Sequence, residues 1–260
     1  MRLLSLLILI LITSSGQIKA EGDAKRGLEI AIEADRRSNG FIDSSAVMKM
    51  LLKNRHGETS SRELRVKTME VENDGDRSLT IFDTPADVKG TALLTYSHRV
   101  ESDDQWLYLP ALEKVKRMSS SNKSGPFMGS EFAFEDIGSQ EVEKYTWLYL
   151  RDEVLDGVDC FVLERIPLDK KSGYTKQILW LNKAEYYAIK VDFYDRKNSL
   201  LKTLMSSNYK LYKDKFWRAH LLVMVNHQTG KSTDLVWDDI SFGNNFNDSD
   251  FSKVSLKRSK

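Results

Sequence analysis

Cysteine and proline are scarce in this chain of 260 residues. It contains a single cysteine, Cys160, and four prolines. One thiol cannot form an intrachain disulfide, so no disulfide framework holds the fold together. There is no proline-rich linker, no internal repeat and no low-complexity segment that would divide the chain. These absences favour a single domain rather than several.

The sequence also lacks an excess of charge of either sign. Its 39 lysines and arginines balance 38 aspartates and glutamates, which gives a formal net charge of +1. Nucleic-acid-binding proteins usually carry a concentrated basic face. The near-neutral balance therefore argues against a nucleic-acid partner.

Catalytic and metal-binding motifs are missing as well. The four histidines have no spacing typical of a metal site: His56, His98, His220 and His227. Gly230-Lys231-Ser232 resembles the end of a phosphate-binding loop, but the required earlier glycine is Val225, so a hairpin turn explains it better. Ser130 is not followed by the second glycine of a nucleophile elbow. We expect no catalytic residue, no metal and no cofactor, and therefore no enzyme.

Only one long hydrophobic run is present, and it lies at the start of the chain. Arg2 precedes an apolar run over residues 3–12, and small residues lead to Ala20. A charge, a short apolar core and a small residue before the cleavage point are typical of a secretory signal peptide. The run is shorter than the roughly 20 residues that span a bilayer. We expect residues 1–20 to be a signal peptide cleaved after Ala20, leaving residues 21–260 as one soluble periplasmic domain.

The segment from residue 105 to residue 137 is rich in aromatic side chains. It opens with Trp106, Leu107, Tyr108 and Leu109, which are apolar at both parities. Since successive side chains of a strand point to opposite faces, a strand here should be covered on both sides. The sequence therefore predicts packed layers above and below this strand.

A second apolar run follows a polar loop. Residues 119–125 consist of Ser, Asn, Lys and Gly, a composition typical of a flexible loop, and Phe127, Met128, Phe132 and Phe134 come directly after it. This pattern predicts a mobile apolar flap beside a cavity. Ordinary core packing is the alternative reading for each of these aromatic residues, because most buried aromatic side chains only pack.

Two acidic residues lie at the end of this flap. Glu135 and Asp136 form the only acidic pair within the apolar run, and Lys114, Lys116 and Arg117 precede the loop. One hypothesis is a latch in which the acidic pair binds these basic side chains. The alternative is a helix end or a surface pair that contributes less than about 1 kcal/mol.

The remainder of the chain indicates two helices followed by many strands. Helical spacing predicts a first helix over residues 23–37, with Asp23 as N-cap, and a second from residue 44 or 45 to residue 54. In the second, one apolar stripe would contain Val47, Met48, Leu51 and Leu52. From Arg62 onward, alternating segments and turns predict an antiparallel meander, followed from Asn244 by a polar tail that we expect to fray. The fold class is thus α+β, mainly β.

Several of these motifs together resemble a known family. They are Pro85 to Gly90, Gln105 to Leu112, Lys114 to Arg117, Phe127 to Phe132, and Glu135-Asp136. In this order they resemble the bacterial outer-membrane lipoprotein-sorting family, which has a LolA-like fold. The resemblance implies an incomplete antiparallel β-barrel, that is, a curved half-barrel sheet. It also implies that N-terminal helices and the flap pack in the concave face, beside a cavity for acyl chains.

The functional hypothesis is a carrier that binds the acyl chains of lipoproteins or another lipid-like cargo. The expected cavity residues come from the strand, the flap and the second helix: Trp106, Tyr108, Phe127, Met128, Phe132, Phe134, Met48 and Leu52. The expected latch consists of Lys114, Arg117, Glu135 and Asp136. Expected partners are the cargo, an inner-membrane transporter and an outer-membrane acceptor. The alternative is an envelope interaction or sensor module of the same fold, which would have a closed core and bind a protein partner.

Overall fold

The computed structural model describes residues 14–119 and 121–258, with side chains from residue 23 onward. Strands dominate, as the fold class predicted. They are β1 (Asp43–Lys53), β2 (Thr59–Met69), β3 (Arg77–Thr84), β4 (Ala92–Tyr96), β5 (Asp104–Leu109), β6 (Lys114–Arg117), β7 (Tyr145–Leu155), β8 (Val158–Pro167), β9 (Tyr174–Asn182), β10 (Ala188–Asp195), β11 (Leu200–Tyr212), β12 (Phe216–Asn226) and β13 (Ser232–Phe242).

All 13 strands belong to one antiparallel sheet that does not close into a barrel. Its order is β6-β5-β4-β3-β2-β1-β13-β12-β11-β10-β9-β8-β7. Most neighbours are consecutive hairpins, as expected when short turns join antiparallel strands. The pairing of β1 with β13 is the long-range exception, and it joins the two halves with Met48 opposite Trp237. The predicted half-barrel sheet is therefore confirmed.

The flap segment, residues 118–144, connects the two free edges of this sheet. β6 ends at Arg117 on one edge and β7 begins at Tyr145 on the other. The connection has to cross a face of the sheet, and it does so through three short 3₁₀ turns at Phe127–Gly129, Phe134–Asp136 and Val142–Lys144. Its phenylalanines pack on the concave face. Ser120 lies outside the described residues.

Helix α1 (Ser14–Ser38) covers the same concave face beside β7. Ile30 packs with Leu163 and Leu181. A Cβ atom on Gly27 would lie 2.6 Å from the Tyr149 backbone nitrogen, so only glycine permits this close approach. The predicted helix over residues 23–37 is confirmed, but residues 14–22 are already helical, so Asp23 is not its N-cap. Residues 1–13 of the expected signal peptide lie outside the described residues.

The predicted second helix is wrong, because residues 43–53 form the central strand β1. Met48, Met50 and Leu52 alternate along this strand and pack in the core of the concave face, whereas Val47 is 42% exposed. The apolar residues fit both a helical stripe and a strand. The strand prevails because β1 pairs with β2 on one side and β13 on the other. Tertiary pairing thus overrides the local pattern.

Strand β5 is covered on both faces, as predicted. Leu107 faces the flap, while Trp106 and Tyr108 face the convex side, where Phe251 and Leu256 cover them. Those two residues belong to a 3₁₀ turn, Asp248–Phe251, and to helix α2 (Lys253–Arg258). The expectation that this C-terminal tail frays is wrong, since both side chains are fully buried. In residues 14–119 and 121–258, the helices are too short or too polar to cross a bilayer.

Candidate functional site

Three phenylalanines of the flap fill the middle of the concave face. Phe127, Phe132 and Phe134 are 1%, 3% and 7% exposed. The Phe127 ring lies with its centroid 5.5 Å from that of Phe134 in an edge-on contact and 5.7 Å from that of Phe82 on β3. Edge-on aromatic pairs add favourable electrostatics to the burial of apolar area. The flap therefore packs as part of the core.

Six of the eight expected cavity residues meet in this cluster. Four come from the flap and two from β1: Phe127, Met128, Phe132, Phe134, Met48 and Leu52. Each faces the concave side because the strand residues share one parity and the flap lies above them. Whether they contact cargo stays a prediction.

Trp106 and Tyr108 lie elsewhere, and the expectation that they face the flap is wrong. They point to the convex side, where the Trp106 ring makes an edge-on contact with Tyr96 at 5.1 Å between centroids. The Nζ atom of Lys253 lies 4.5 Å from the Trp106 ring centroid. Strand alternation explains the error. Of the consecutive residues Trp106, Leu107 and Tyr108, only Leu107 can face the flap.

The expected latch has the predicted acids but different partners. Arg117 pairs with Asp104 on the neighbouring strand, and Lys114 is exposed at the edge. Neither reaches Glu135 or Asp136, so the expected pairing is wrong. β6 is an edge strand, and its lysines point to solvent as edge strands generally require.

Asp136 is bound by β9 and β11 instead. Its carboxylate accepts hydrogen bonds from Lys202 Nζ at 2.7 Å and from the Tyr174 hydroxyl at 2.9 Å. It also accepts one from the Ala133 backbone nitrogen at 2.7 Å. The side chains of Lys202 and Asp136 are only 4% and 9% exposed. Burial and the nearby Asp136 raise the pKa of Tyr174 well above its usual value of 10, so this hydroxyl stays a neutral donor.

Glu135 ties the flap to the loop before β9. Its carboxylate accepts hydrogen bonds from Ser172 Oγ at 2.7 Å and from the Gly173 backbone nitrogen at 2.8 Å. Burial raises the pKa of Glu135 above its usual value, although these hydrogen bonds oppose the shift. The acidic pair therefore holds the flap to the β9–β11 wall. We keep the name latch for Glu135, Asp136, Lys202 and Tyr174.

A cavity remains beside the flap on the concave face. Its volume is about 480 Å³, within the range of small-molecule sites. The apolar wall comes from β1, β2, β12, β13 and the turn after α1: Phe41, Ala46, Val66, Ala219, Leu222, Trp237 and Ile240. Val66, Leu222 and Trp237 also pack against the cluster that holds the flap phenylalanines. The cavity is thus continuous with the flap-filled core.

The other end of the cavity is polar. Asp35 from α1, Asp76 from the turn before β3 and Glu141 from the flap segment line it, together with Arg218 of β12. Burial, and then the nearby Glu141 and Glu70 carboxylates, raise the pKa of Asp76 from 3.8 to about 7. Burial also raises the pKa of Glu141 and Asp35 and lowers that of Arg218. Within the described ranges, His, Cys, Asp and Glu form no group suited to a metal ion.

A second groove, of about 610 Å³, lies between the flap and the turns that carry Arg196, Lys197 and Lys231. It is wider open and bounded by charged turn residues. We take the 480 Å³ cavity as the candidate site because apolar side chains of four strands form its wall, as a site for apolar cargo requires.

Sequence reasoning missed this cavity and the latch lysine. The wall residues come from strands far apart in the chain, and nothing local marks them as one surface. Lys202 could have been recognised in the sequence. It lies beside Leu201 and on the same face of β11 as Leu204, where an apolar residue would be expected. A buried lysine requires a partner, which could have pointed to an acid in the flap.

We expect Lys202→Met to destabilise the fold by about 3 kcal/mol, because it leaves the Asp136 carboxylate buried without its cation. Urea denaturation of the variant and the wild type measures the difference in free energy of unfolding. Lys114→Met is the matched control, and its exposed position predicts a change within about 0.5 kcal/mol. Equal effects of the two substitutions would show that the latch contributes nothing.

We expect stability to fall between about pH 4 and pH 7 in a way that depends on Asp76. Over this range the folded protein keeps a proton on Asp76 that the unfolded chain releases, because the folded pKa of about 7 exceeds 3.8. Asp76→Asn should therefore match the wild type at pH 4 and exceed its stability at pH 8. Urea denaturation at pH 4, 6 and 8 tests this, and parallel pH profiles would contradict it.

Comparisons with known proteins agree with this architecture. A family model described as an uncharacterized protein family matches residues 74–258. A solved domain from Vibrio parahaemolyticus, described as an outer membrane lipoprotein-sorting protein domain, is 59% identical. The match covers 90% of this chain and 100% of that chain, with a TM-score of 0.89. None of the curated proteins compared matches the chain.

Two further solved structures extend the comparison. A DUF1329 family protein from Desulfovibrio piger is 31% identical over 90% of this chain and 99% of that one, with a TM-score of 0.86. A LolA superfamily protein from Nitrosomonas europaea shares the fold at 22% identity. The match covers 88% of this chain and 98% of that chain, with a TM-score of 0.72. The chain therefore belongs to the outer-membrane lipoprotein-sorting family and has a LolA-like fold.

Proposed function

We propose that this protein is a non-catalytic periplasmic carrier that binds an acyl chain of a lipoprotein or of another lipid in its concave face. The observation that carries the proposal is the 480 Å³ cavity, whose apolar wall continues into the flap-filled core. The name of the Vibrio parahaemolyticus relative, which refers to lipoprotein sorting, supports the same role. Residues 1–20 would direct export, with cleavage after Ala20, and residues 21–260 would form the carrier domain.

The energetics of acyl transfer explain why such a carrier is needed. Exposing a methylene group to water costs about 0.8 kcal/mol, so a chain of roughly 15 methylenes costs on the order of 12 kcal/mol. An apolar cavity removes most of this cost during passage through an aqueous compartment. An inner-membrane transporter as donor and an outer-membrane component as acceptor would complete the pathway.

The flap supplies the variable part of the site. A short chain fits the cavity beside it, and a longer chain would displace flap phenylalanines from Met48 and Leu52 on β1. Each buried phenylalanine contributes roughly 1.5–3 kcal/mol. Three of them sum to less than the gain from a long acyl chain, so cargo can compete with the flap for the concave face.

The second candidate, an interaction module that binds a protein partner, predicts a closed core without a sizeable cavity. A cavity of about 480 Å³ on the concave face favours the carrier instead. Exposed apolar side chains on the convex face, such as Val47 and Val225, keep the second candidate testable. In that case, affinity capture from an envelope extract would recover a protein without lipid.

Lipid extraction tests the carrier directly. We expect protein purified from its native envelope without detergent to release an acyl lipid on solvent extraction, identified by mass spectrometry. We also expect the purified protein to take up a fluorescent acyl probe in about one-to-one ratio. Repeated absence of both the lipid and the uptake would overturn the proposal.

A further inference from the structure

The candidate cavity has two chemically different ends, and the difference bears on what its cargo looks like. The apolar end consists of strand side chains such as Val66, Leu222 and Trp237. The polar end carries the carboxyl groups of Asp35, Asp76 and Glu141. An amphiphile lying along the cavity would place its chain at the first end and its polar group at the second.

Among the described residues, Arg218 is the one cation that lines the cavity, and it already has partners within the protein. Arg218 donates hydrogen bonds from Nη2 to the Ser38 carbonyl and from Nη1 to the Trp217 carbonyl, each at 3.1 Å. Its guanidinium carbon also lies 5.2 Å from the Phe41 ring centroid and 5.5 Å from that of Phe216. The charge of Arg218 also acts on the neighbouring carboxylates of Glu70 and Asp76, which partly neutralise it.

The carboxyl groups at the polar end differ in how many hydrogen bonds they accept from the protein. Glu141 accepts a hydrogen bond from Ser139 Oγ at 2.6 Å, and the adjacent Glu70 accepts bonds from the backbone nitrogens of Gly40 and Ile42 at 2.6 Å. For Asp76, no hydrogen bond from a described residue reaches the side-chain carboxylate, and only its backbone carbonyl is used, by Ser97. Asp76 is therefore half-buried beside the like charges of Glu141 and Glu70, without a hydrogen-bond donor from a described residue, and the charge of Arg218 opposes this repulsion.

From this arrangement we propose that the cavity selects amphiphiles with a cationic amine at the polar end over amphiphiles with a carboxylate or phosphate. The inference rests on the proposed carrier function and narrows its cargo class. An ammonium group would donate hydrogen bonds to Asp76 and offset its repulsion from Glu141 and Glu70. An anionic group in the same place would add to that repulsion and would compete with Asp76 and Glu70 for the charge of Arg218.

The burial of Asp76 supports this selection. Burial, followed by the nearby Glu141 carboxylate, penalises its ionisation and raises its pKa to about 7. A bound cation favours the ionised form and thereby lowers this pKa. Charge interactions at hydrogen-bonding distance near a protein surface suffice for about a tenfold difference in affinity.

Two ligands with the same chain test the proposal. Calorimetric titration of the purified protein at pH 8 and low ionic strength compares decylammonium with decanoate. We expect decylammonium to bind about tenfold more tightly. Asp76→Asn should reduce this preference several-fold, whereas Asp156→Asn in the exposed β7–β8 turn should leave it unchanged. The control removes the same charge at a backbone φ of 51°, which asparagine tolerates.

The outcomes separate this inference from the function on which it rests. Equal or tighter binding of decanoate, or a preference that Asp76→Asn leaves unchanged, would overturn the amine selection while the carrier function stands. Binding of neither ligand would overturn both. If Asp76→Asn and Asp156→Asn reduced the preference equally, the preference would come from the overall charge of the protein. The cavity would then be rejected as its source.

Discussion

An open sheet of 13 strands has a concave face that must be covered, and the rest of the structure depends on how this is achieved. In a closed barrel, strands shield one another, but here β6 and β7 end as free edges. The chain that joins these edges has to cross one face of the sheet, and it crosses the concave face, where its three phenylalanines pack. Helix α1 covers the part beside β7. The part of the concave face that neither the flap nor helix α1 covers is the cavity.

The latch fixes the position of the flap but adds little net stability. A buried ion pair gains little net stability, because desolvation of both charges offsets most of their attraction. Lys202 and Asp136 are such a pair, and Tyr174 adds a neutral hydrogen bond. The latch determines where the flap lies, while the flap phenylalanines supply most of the free energy that holds the flap on the sheet. That division suits a segment that shares the concave face with cargo.

Local sequence patterns predicted the parts of the fold that local chemistry determines. Apolar residues at both parities of β5 indicated two covered faces, and both are covered. The same reasoning failed for β1, whose apolar residues fit a helix equally well until β2 and β13 are placed beside it. It also failed for the latch, because Asp136 and Lys202 lie 66 residues apart and meet only through the topology of the sheet. The cavity wall is a property of four strands together, so single segments could not reveal it.

The central claim is that cargo occupies the cavity on the concave face, and blocking the cavity tests it most directly. Ala46 lines the cavity opposite Val66, and Lys49 lies exposed on the same strand. Uptake of a fluorescent acyl probe should fall at least about tenfold in Ala46→Phe, since a large ring takes up the space of the chain, and should be unchanged in Lys49→Phe. Undiminished uptake by a stably folded Ala46→Phe variant would contradict the account, because the chain would then bind elsewhere.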